Sequence, residues 1–343
     1  MKPPKSGSRR KSSSHKNTLH EGHAAFCTAR LSYAPTAVSH YPSLDDLALQ
    51  NAWLTIGVFD GVHRGHQELL RQLISGAHAA GSPAVVLTFF PHPAVVLGGK
   101  TDFKWLTTPV ERGALLDSSG VDVVITQPFN RALADQTAEE FMHRLSRTLG
   151  LRTLVIGYDT ALGRGRQGTA PRLAEIGAEL NYVVRSVPPV QAQGGIISST
   201  RIRASLAAGN VADAARDQGR PYAVSGPVVH GDGRGHTIHV PTANLQVPED
   251  KALPANGIYA CWAHLEGKRI PAVTNVGTRP TFTPEEHRQH VEAHLLDFDQ
   301  DLYGLEMRLE FVEHLRPEEK FPSVEALVEQ IRADIELGRE ILK

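Results

Sequence analysis

A chain of 343 residues carries 36 lysines and arginines against 37 aspartates and glutamates, a formal net charge of −1, so no domain-wide basic field points to nucleic acid. Its two cysteines, Cys27 and Cys261, are too few for a disulfide framework or a cysteine-based zinc site. No apolar run approaches the roughly 20 residues needed to cross a bilayer, and the length allows two domains; a soluble, cytoplasmic protein is expected.

Residues 1–45 show no sustained apolar period. Lys2, Lys5, Arg9, Arg10, Lys11 and Lys16 alternate with Ser6, Ser8, Ser12, Ser13 and Ser14, and no hydrophobic region follows, so the segment is not a secretory signal. It reads as a disordered basic tail with too little apolar surface to offset ordering.

An apolar run at 54–58 leads into Gly57-Val58-Phe59-Asp60-Gly61-Val62-His63-Arg64-Gly65-His66, and Leu69, Leu70, Leu73, Ile74 and Ala77 follow on one helical face. Strand, glycine turn and helix are expected in that order. Free backbone N–H groups and the positive helix end attract phosphate at such a turn. The H-x-G-H spacing lets Gly65 bring the backbone close to a ligand while His63 and His66 face the same side. Gly57, Phe59, Asp60 and Gly65 are candidate nucleotide-binding positions, and the two histidines are candidate catalytic groups. The pattern suits nucleotidyl transfer, in which a phosphate oxygen attacks and the protein aligns reactants and neutralises charge on a pentacoordinate phosphorus.

Short buried strands are expected at 85–89, 121–126, 154–157 and 183–187. Phe141, Met142, Leu145 and Leu149, then Leu173, Ile176 and Leu180, mark helical faces between them. The alternation predicts an α/β, Rossmann-like doubly wound parallel sheet with ligands at the carboxyl ends of its strands. In Thr88-Phe89-Phe90-Pro91-His92-Pro93 the prolines keep the backbone extended, and the phenylalanines offer an apolar wall or simply cap a strand. The string at 94–101 ends like a P-loop, but Ala94 stands where glycine is required, so it is discarded. Ser198-Ser199-Thr200-Arg201-Ile202-Arg203 enters another helix, as a plain N-cap or as a phosphate site to which Arg203 adds charge.

After Arg220-Pro221-Tyr222 the texture changes. Strands are expected at 224–229, 258–264, 270–276, 291–296 and 307–311, separated by Gly/Pro turns, and a small antiparallel barrel fits. Val324, Leu327, Val328, Ile331 and Ile335 mark a closing helix. In Pro241-Thr242-Ala243-Asn244 a hydroxyl and an amide oxygen two positions apart share a face and suit Mg²⁺ with ATP phosphates. Glu292, the one acid on an apolar strand, is a candidate general base. His287, His290 and His294 have helix-like ligand spacing, and His230, His236 and His239 form a second group. The first runs into a strand, and no matching carboxylate or thiolate set accompanies either, which argues against a transition-metal site.

Taken together these segments resemble the bifunctional riboflavin kinase/FAD synthetase family of bacteria, in the family's order from about residue 50 to the end. The likeness rests on the strings at 57–66, 88–93, 157–168 (G-Y-D-x-x-x-G-R-G-R-Q-G), 198–203, 219–222 (G-R-P-Y), 241–245, 275–282 (N-V-G-T-R-P-T-F) and 291–298 (V-E-A-H-L-L-D-F). The resemblance implies an FMN adenylyltransferase domain over 46–215 and a riboflavin kinase domain over 216–343. The second would phosphorylate riboflavin with ATP to FMN, and the first would adenylylate FMN to FAD with release of pyrophosphate. It implies that His63 and His66 stabilise the ATP phosphates, and that Asp159, Ser199, Thr200 and Arg203 bind nucleotide and phosphates. Thr242 and Asn244 would hold Mg²⁺-ATP, with Glu292 as base. Riboflavin, FMN and ATP are the implied partners, with no membrane and no nucleic acid, and the oligomeric state stays open.

The chain departs from the family's pattern in three places. Thr160 and Leu162 stand where aromatics are usual, His236 replaces an arginine, and His239 puts a ring where the family has no side chain. A narrower alternative follows: an FAD synthetase whose kinase half is impaired or only binds flavin.

Overall fold

The alternation of short apolar strands with amphipathic helices builds a six-stranded parallel sheet, and the Gly/Pro-punctuated second half closes into a barrel. The structure, a computed structural model, describes residues 38–99, 102–231, 240–278 and 289–343. The first lobe runs β1 (Ser39–Tyr41), β2 (Trp53–Ile56), α1 (Arg64–Ala79), β3 (Ala84–Phe90), α2 (Pro93–Gly98), α3 (Pro109–Asp117), β4 (Val123–Pro128), α4 (Arg131–Ala134), α5 (Ala138–Leu149), β5 (Thr153–Gly157), α6 (Ala170–Leu180) and β6 (Val183–Val187). Its strands lie in the order β1-β4-β3-β2-β5-β6, all neighbours parallel. Chain progression reverses between β2 and β5, which opens the crevice that such sheets use for ligands at their carboxyl edge.

Helices cover both faces, so the central strands are apolar throughout rather than alternating: all four residues of β2 are buried. On one face α1 buries Leu69, Leu70, Leu73 and Ala77. On the other α5 buries Phe141, Met142, Leu145 and Leu149. Thr108 and Thr137 start α3 and α5 with capping boxes closed by Glu111 and Glu140. The discarded P-loop string is used otherwise, since α2 runs through it as far as Gly98.

Ordered structure begins inside the stretch expected as a tail: Ser39–Tyr41 pair in parallel with β4, and Leu44 is fully buried. A three-residue edge strand carries no readable period, so only its partner reveals it. Residues 1–37 of the expected tail lie outside the described residues.

A ribbon of β7 (Gln191–Ala192) and β8 (Gly195–Ile196) leads to α7 (Ser199–Ala207) and α8 (Val211–Gln218). The expected division between residues 215 and 216 falls inside α8, whose Val211 and Ala214 join the barrel's buried cluster. The junction is therefore a helix packed on both lobes, not a linker. Beyond it come β9 (Tyr222–Val229), β10 (Ala243–Leu245), β11 (Gly257–Leu265), β12 (Lys268–Thr278), β13 (Gln289–Leu295), β14 (Glu306–Arg316) and α9 (Val324–Ile341). The strands close as β10-β13-β12-β11-β14-β9, every pair antiparallel. Cys261 faces the barrel core, where burial pushes its thiol up to about 12.

The lobes share a core as well as a helix. Leu106, Ile202 and Leu206 belong to the same buried cluster as Val224, Tyr259 and Phe311. Trp105 forms a parallel bridge with Lys251: its N–H donates to the Asp250 carbonyl at 2.6 Å, and its carbonyl accepts from Ala252 at 2.7 Å. Lys251, 3% exposed, donates through Nζ to the Leu106 carbonyl at 2.8 Å and to Glu111 Oε2 at 2.6 Å. Removing that ammonium strands two acceptors at the seam. Lys251→Met is expected to cost about 2 kcal/mol, read by urea denaturation at pH 7; a midpoint equal to that of the unmodified protein would contradict this role for the seam.

Candidate active site

The turn after β2 is an unusual piece of backbone. Phe59, Gly61 and Val62 all sit at positive φ, at 53°, 80° and 36°. For a β-branched residue such as Val62 this is a costly conformation that must be held from outside. A side chain at Gly61 would face both the positive φ and a Cβ 2.8 Å from the Leu106 side chain.

Side chains from three other segments hold this turn. Asp60 is 1% exposed. Its carboxylate accepts from the backbone N–H of Leu106 at 3.0 Å, from that of Thr107 at 3.0 Å and from the Thr107 hydroxyl at 3.2 Å, and it pairs with Arg203. Gly61 N–H donates to Thr107 Oγ1 at 2.9 Å. Phe59 is fully buried among Leu70, Leu73 and Val187. Phe59 and Asp60, expected at the nucleotide, have their side chains occupied otherwise: one fills the core and the other spends its oxygens on the 106–107 loop and Arg203. Gly57 closes β2 with its N–H on the Leu87 carbonyl at 3.1 Å.

His63 and His66 come together as the spacing requires. His63 is the N-cap of α1, and its Nδ1 accepts from the His66 N–H at 3.3 Å, which leaves Nε2 to carry the proton of the neutral ring. The two rings stack, with centroids 3.7 Å apart and planes 18° apart. Gly65 leaves room for this, since a Cβ there would lie 3.0 Å from the His63 ring. Burial, helped by the charge of Arg220, lowers His63 to about 4. Burial also lowers His66, followed by its neighbour His63 and by Arg220. His66 Nδ1 is buried without a hydrogen-bond partner. Both imidazoles are neutral at pH 7, at the end of a helix whose N–H groups and dipole favour an anion.

The second phosphate-like string arrives at the same turn. Ser198 caps α7, and the Ser199 hydroxyl donates to the Asp60 carbonyl at 2.8 Å, so the start of α7 meets the turn that leads into α1. Thr200 is exposed on the first turn of α7. Arg203 donates to the Lys104 carbonyl at 2.7 Å and lies over the Phe103 ring at 4.6 Å. Asp159 is exposed just beyond β5, the strand beside β2, and its carbonyl accepts from Arg166. Of the two phenylalanines offered as a wall, Phe89 is core, whereas Phe90 is 38% exposed and stacks on Trp105 at 5.8 Å.

In the barrel, antiparallel register makes a second cluster. Asn244 on β10 lies opposite Glu292 on β13, which lies opposite Asn275 on β12. Ala243, Leu245 and Ala293 point into the core, which leaves Thr242, Asn244 and Glu292 half-buried on the other face. Asn275 Oδ1, in the same row, is buried without a hydrogen-bond partner. His290 Nε2 stands 3.8 Å from Glu292 Oε1, and His294 Nδ1 contacts the Pro241 carbonyl at 2.8 Å, at the start of the P-T-A-N segment. On an extended strand His290 and His294 are roughly 14 Å apart along the chain, so helical ligand geometry fails. His230 stacks on Tyr303 at 3.7 Å. His236, His239 and His287 lie outside the described residues, and among the described residues no group of three or more His, Cys, Asp or Glu is placed to hold a metal ion.

Sequence reasoning missed Thr107, Gln67 and Arg220, which grip the turn. Thr107 offered no signal, because its partner lies 46 positions away. Arg220 was visible only as part of G-R-P-Y.

Two family models match: one described as FAD synthetase over residues 46–201, the other as riboflavin kinase over residues 218–342. A bifunctional riboflavin kinase/FMN adenylyltransferase of Listeria monocytogenes is 33% identical over 301 residues, covering 87% of this chain and 95% of that protein. The Escherichia coli protein of the same description is 38% identical over 289 residues, covering 84% and 91%. A solved structure of a macrolide-efflux protein from Streptococcus pneumoniae superposes with a TM-score of 0.82 at 33% identity, covering 89% of this chain and 99% of that one.

His63 gives the site a pH signature. Unfolded, its ring takes a proton near 6.5; folded, near 4. Between those values unfolding takes up a proton, so this contribution to stability is whole above pH 6.5 and is lost as pH falls towards 4. His63→Asn, which keeps a capping acceptor, is expected to flatten the loss of stability across that window in urea titrations; an unchanged slope would contradict the buried, neutral imidazole.

Proposed function

The chain belongs to the bifunctional riboflavin kinase/FMN adenylyltransferase family, and on that premise we propose which side chains carry its two reactions. The protein is a transferase. Its barrel lobe moves the γ-phosphoryl group of ATP to riboflavin to make FMN, and its parallel-sheet lobe joins AMP from a second ATP to FMN, giving FAD and pyrophosphate. Matches to both models favour this over an FAD synthetase with a merely binding barrel. The efflux description of the pneumococcal structure is not carried over, because both models name transferases; none of the described helices is long and apolar enough to cross a membrane. The cytoplasm, where ATP is abundant, is the compartment this chemistry calls for.

The observation that carries the adenylyl-transfer reading is the stacked His63–His66 pair at the start of α1, with the start of α7 beside it. An FMN phosphate oxygen attacks the α-phosphorus of ATP in line as the bond to pyrophosphate breaks, so no difficult proton transfer is needed. Two neutral imidazoles offer N–H donors to the phosphate oxygens, and the negative charge brought by the nucleotide raises their affinity for protons as the transition state forms. Ser199, Thr200 and Asp159 line the same carboxyl edge for nucleotide contacts. Arg203 supplies a cation beside the turn and fixes Asp60.

In the barrel, Glu292 takes the proton of the riboflavin 5′-hydroxyl as that oxygen attacks the γ-phosphorus and ADP departs. Mg²⁺ suits this row. Thr242 and Asn244 present neutral oxygens on one face, the buried Asn275 Oδ1 lacks a partner, and the Gly231 backbone lies close against the Asn244 amide, where a Cβ would come within 2.1 Å. Hard oxygen donors with room for phosphates and water are what this ion takes. Thr242 and Asn244 would hold it, and when bound it neutralises phosphate charge.

His66→Ala is expected to abolish FAD formation from FMN while riboflavin phosphorylation continues, with FMN and FAD resolved by chromatography after incubation with Mg-ATP. Equal loss of both activities in a folded variant would defeat the assignment. Glu292→Gln is expected to stop FMN formation and spare FAD formation from supplied FMN; undiminished phosphorylation would remove Glu292 as base.

A further inference from the structure

Arg220 lies between α8 and β9, where the barrel begins, yet its guanidinium turns back to the first lobe. Nη2 donates to the Gly61 carbonyl at 2.6 Å, and Nη1 to the carbonyls of Val62 at 3.1 Å and Gln218 at 3.3 Å. Gln67, on the first turn of α1, completes the bracket: its Nε2 donates to the Val62 carbonyl at 2.9 Å and to the Gln218 carbonyl at 2.7 Å. The segment gripped is the one with Gly61 and Val62 at positive φ, directly ahead of His63. A planar fork that reaches two successive carbonyls is a task for arginine and not for lysine's single ammonium. Burial lowers Arg220 to about 10, so it stays charged at pH 7 beside the two imidazoles.

We propose that Arg220 is a positioning residue for adenylyl transfer, acting through the carbonyls of Gly61 and Val62 to set the backbone and imidazoles of the H-x-G-H turn. The inference rests on the reading that this turn binds the ATP phosphates. A group that fixes geometry for in-line attack matters most in the transition state, because small misplacements of reacting groups cost large factors in rate. The same stretch of chain also ties that geometry to the barrel. Pro221 follows directly, and Tyr222, fully buried, donates its hydroxyl to the Ala252 carbonyl at 2.5 Å.

The test uses the full chain carrying Arg220→Met or Arg220→Lys, assayed with Mg-ATP for FAD from FMN and, in the same preparations, for FMN from riboflavin. For Arg220→Met, kcat for FAD formation is expected to fall about tenfold or more, with KM for ATP and for FMN within about threefold. Phosphorylation of riboflavin should stay within about twofold, and Arg220→Lys should recover part of the loss. General loosening of the fold would lower both activities together, so the split between kcat and KM and between the two products isolates positioning. Unchanged kcat for FAD formation, or parallel loss of both products, overturns the proposal. If Arg220→Met does not fold, Gln67→Met opens the other arm of the bracket and is expected to lower the same kcat about threefold; no change there overturns it equally. If the unmodified protein makes no FAD from FMN, the adenylyltransferase reading fails instead.

Discussion

One buried carboxylate organises the first lobe. A charge taken out of water is tolerated only when it is paired and fully hydrogen-bonded, and Asp60 meets that condition by drawing two remote segments to itself: the 106–107 loop, and α7 through Arg203. Each partner then does something further. Thr107 also receives the Gly61 N–H, Arg203 reaches back to the carbonyl of Lys104, and the loop continues into the Trp105–Lys251 bridge. A neutralised carboxylate at that point, together with Arg220 and Gln67 on the turn's carbonyls, holds three residues at positive φ. With it, the imidazoles of His63 and His66 are presented from a backbone that has few alternatives.

The two candidate sites are built on different principles. The turn site gathers consecutive residues and the ends of two helices, so its polar groups are mostly backbone N–H and its field comes from peptide dipoles. The barrel site takes single side chains from three strands, Asn244, Glu292 and Asn275, which lie side by side only because antiparallel pairing sets them in one row. The first tolerates little change in backbone and the second little change in register. A one-residue slip of β13 would send Glu292 into the core.

Much of this was legible in the chain itself. The β2–turn–α1 unit stands out because hydrophobic periodicity switches from a continuous run to a helical face across a glycine turn. The barrel strands stand out because Gly and Pro separate them with no helix between. Thr242 and Asn244 share a face for a reason that spacing alone supplies. What could not be read is whatever depends on a partner far along the chain. Asp60 and Phe59 look like surface members of a phosphate string until the loop at 106–107 and the core beneath α1 are known. The edge strand at 39–41 lies inside an otherwise polar stretch, and Arg220 meets Val62 across 158 positions. Local pattern announced the elements and the glycine turn ahead of α1; only tertiary pairing showed which of its residues hold the turn and which face outward.

The common core of the two lobes bears on how such a protein can change over generations. Leu106, Ile202 and Leu206 are packed among barrel side chains, and Lys251 is lodged under the loop at 105–106. A barrel grafted from a distant relative would meet a mismatched hydrophobic seat and an orphaned ammonium pocket. Descent should therefore keep the halves together as one inherited piece, with complementary drift across the seam, even though each half performs its own chemistry.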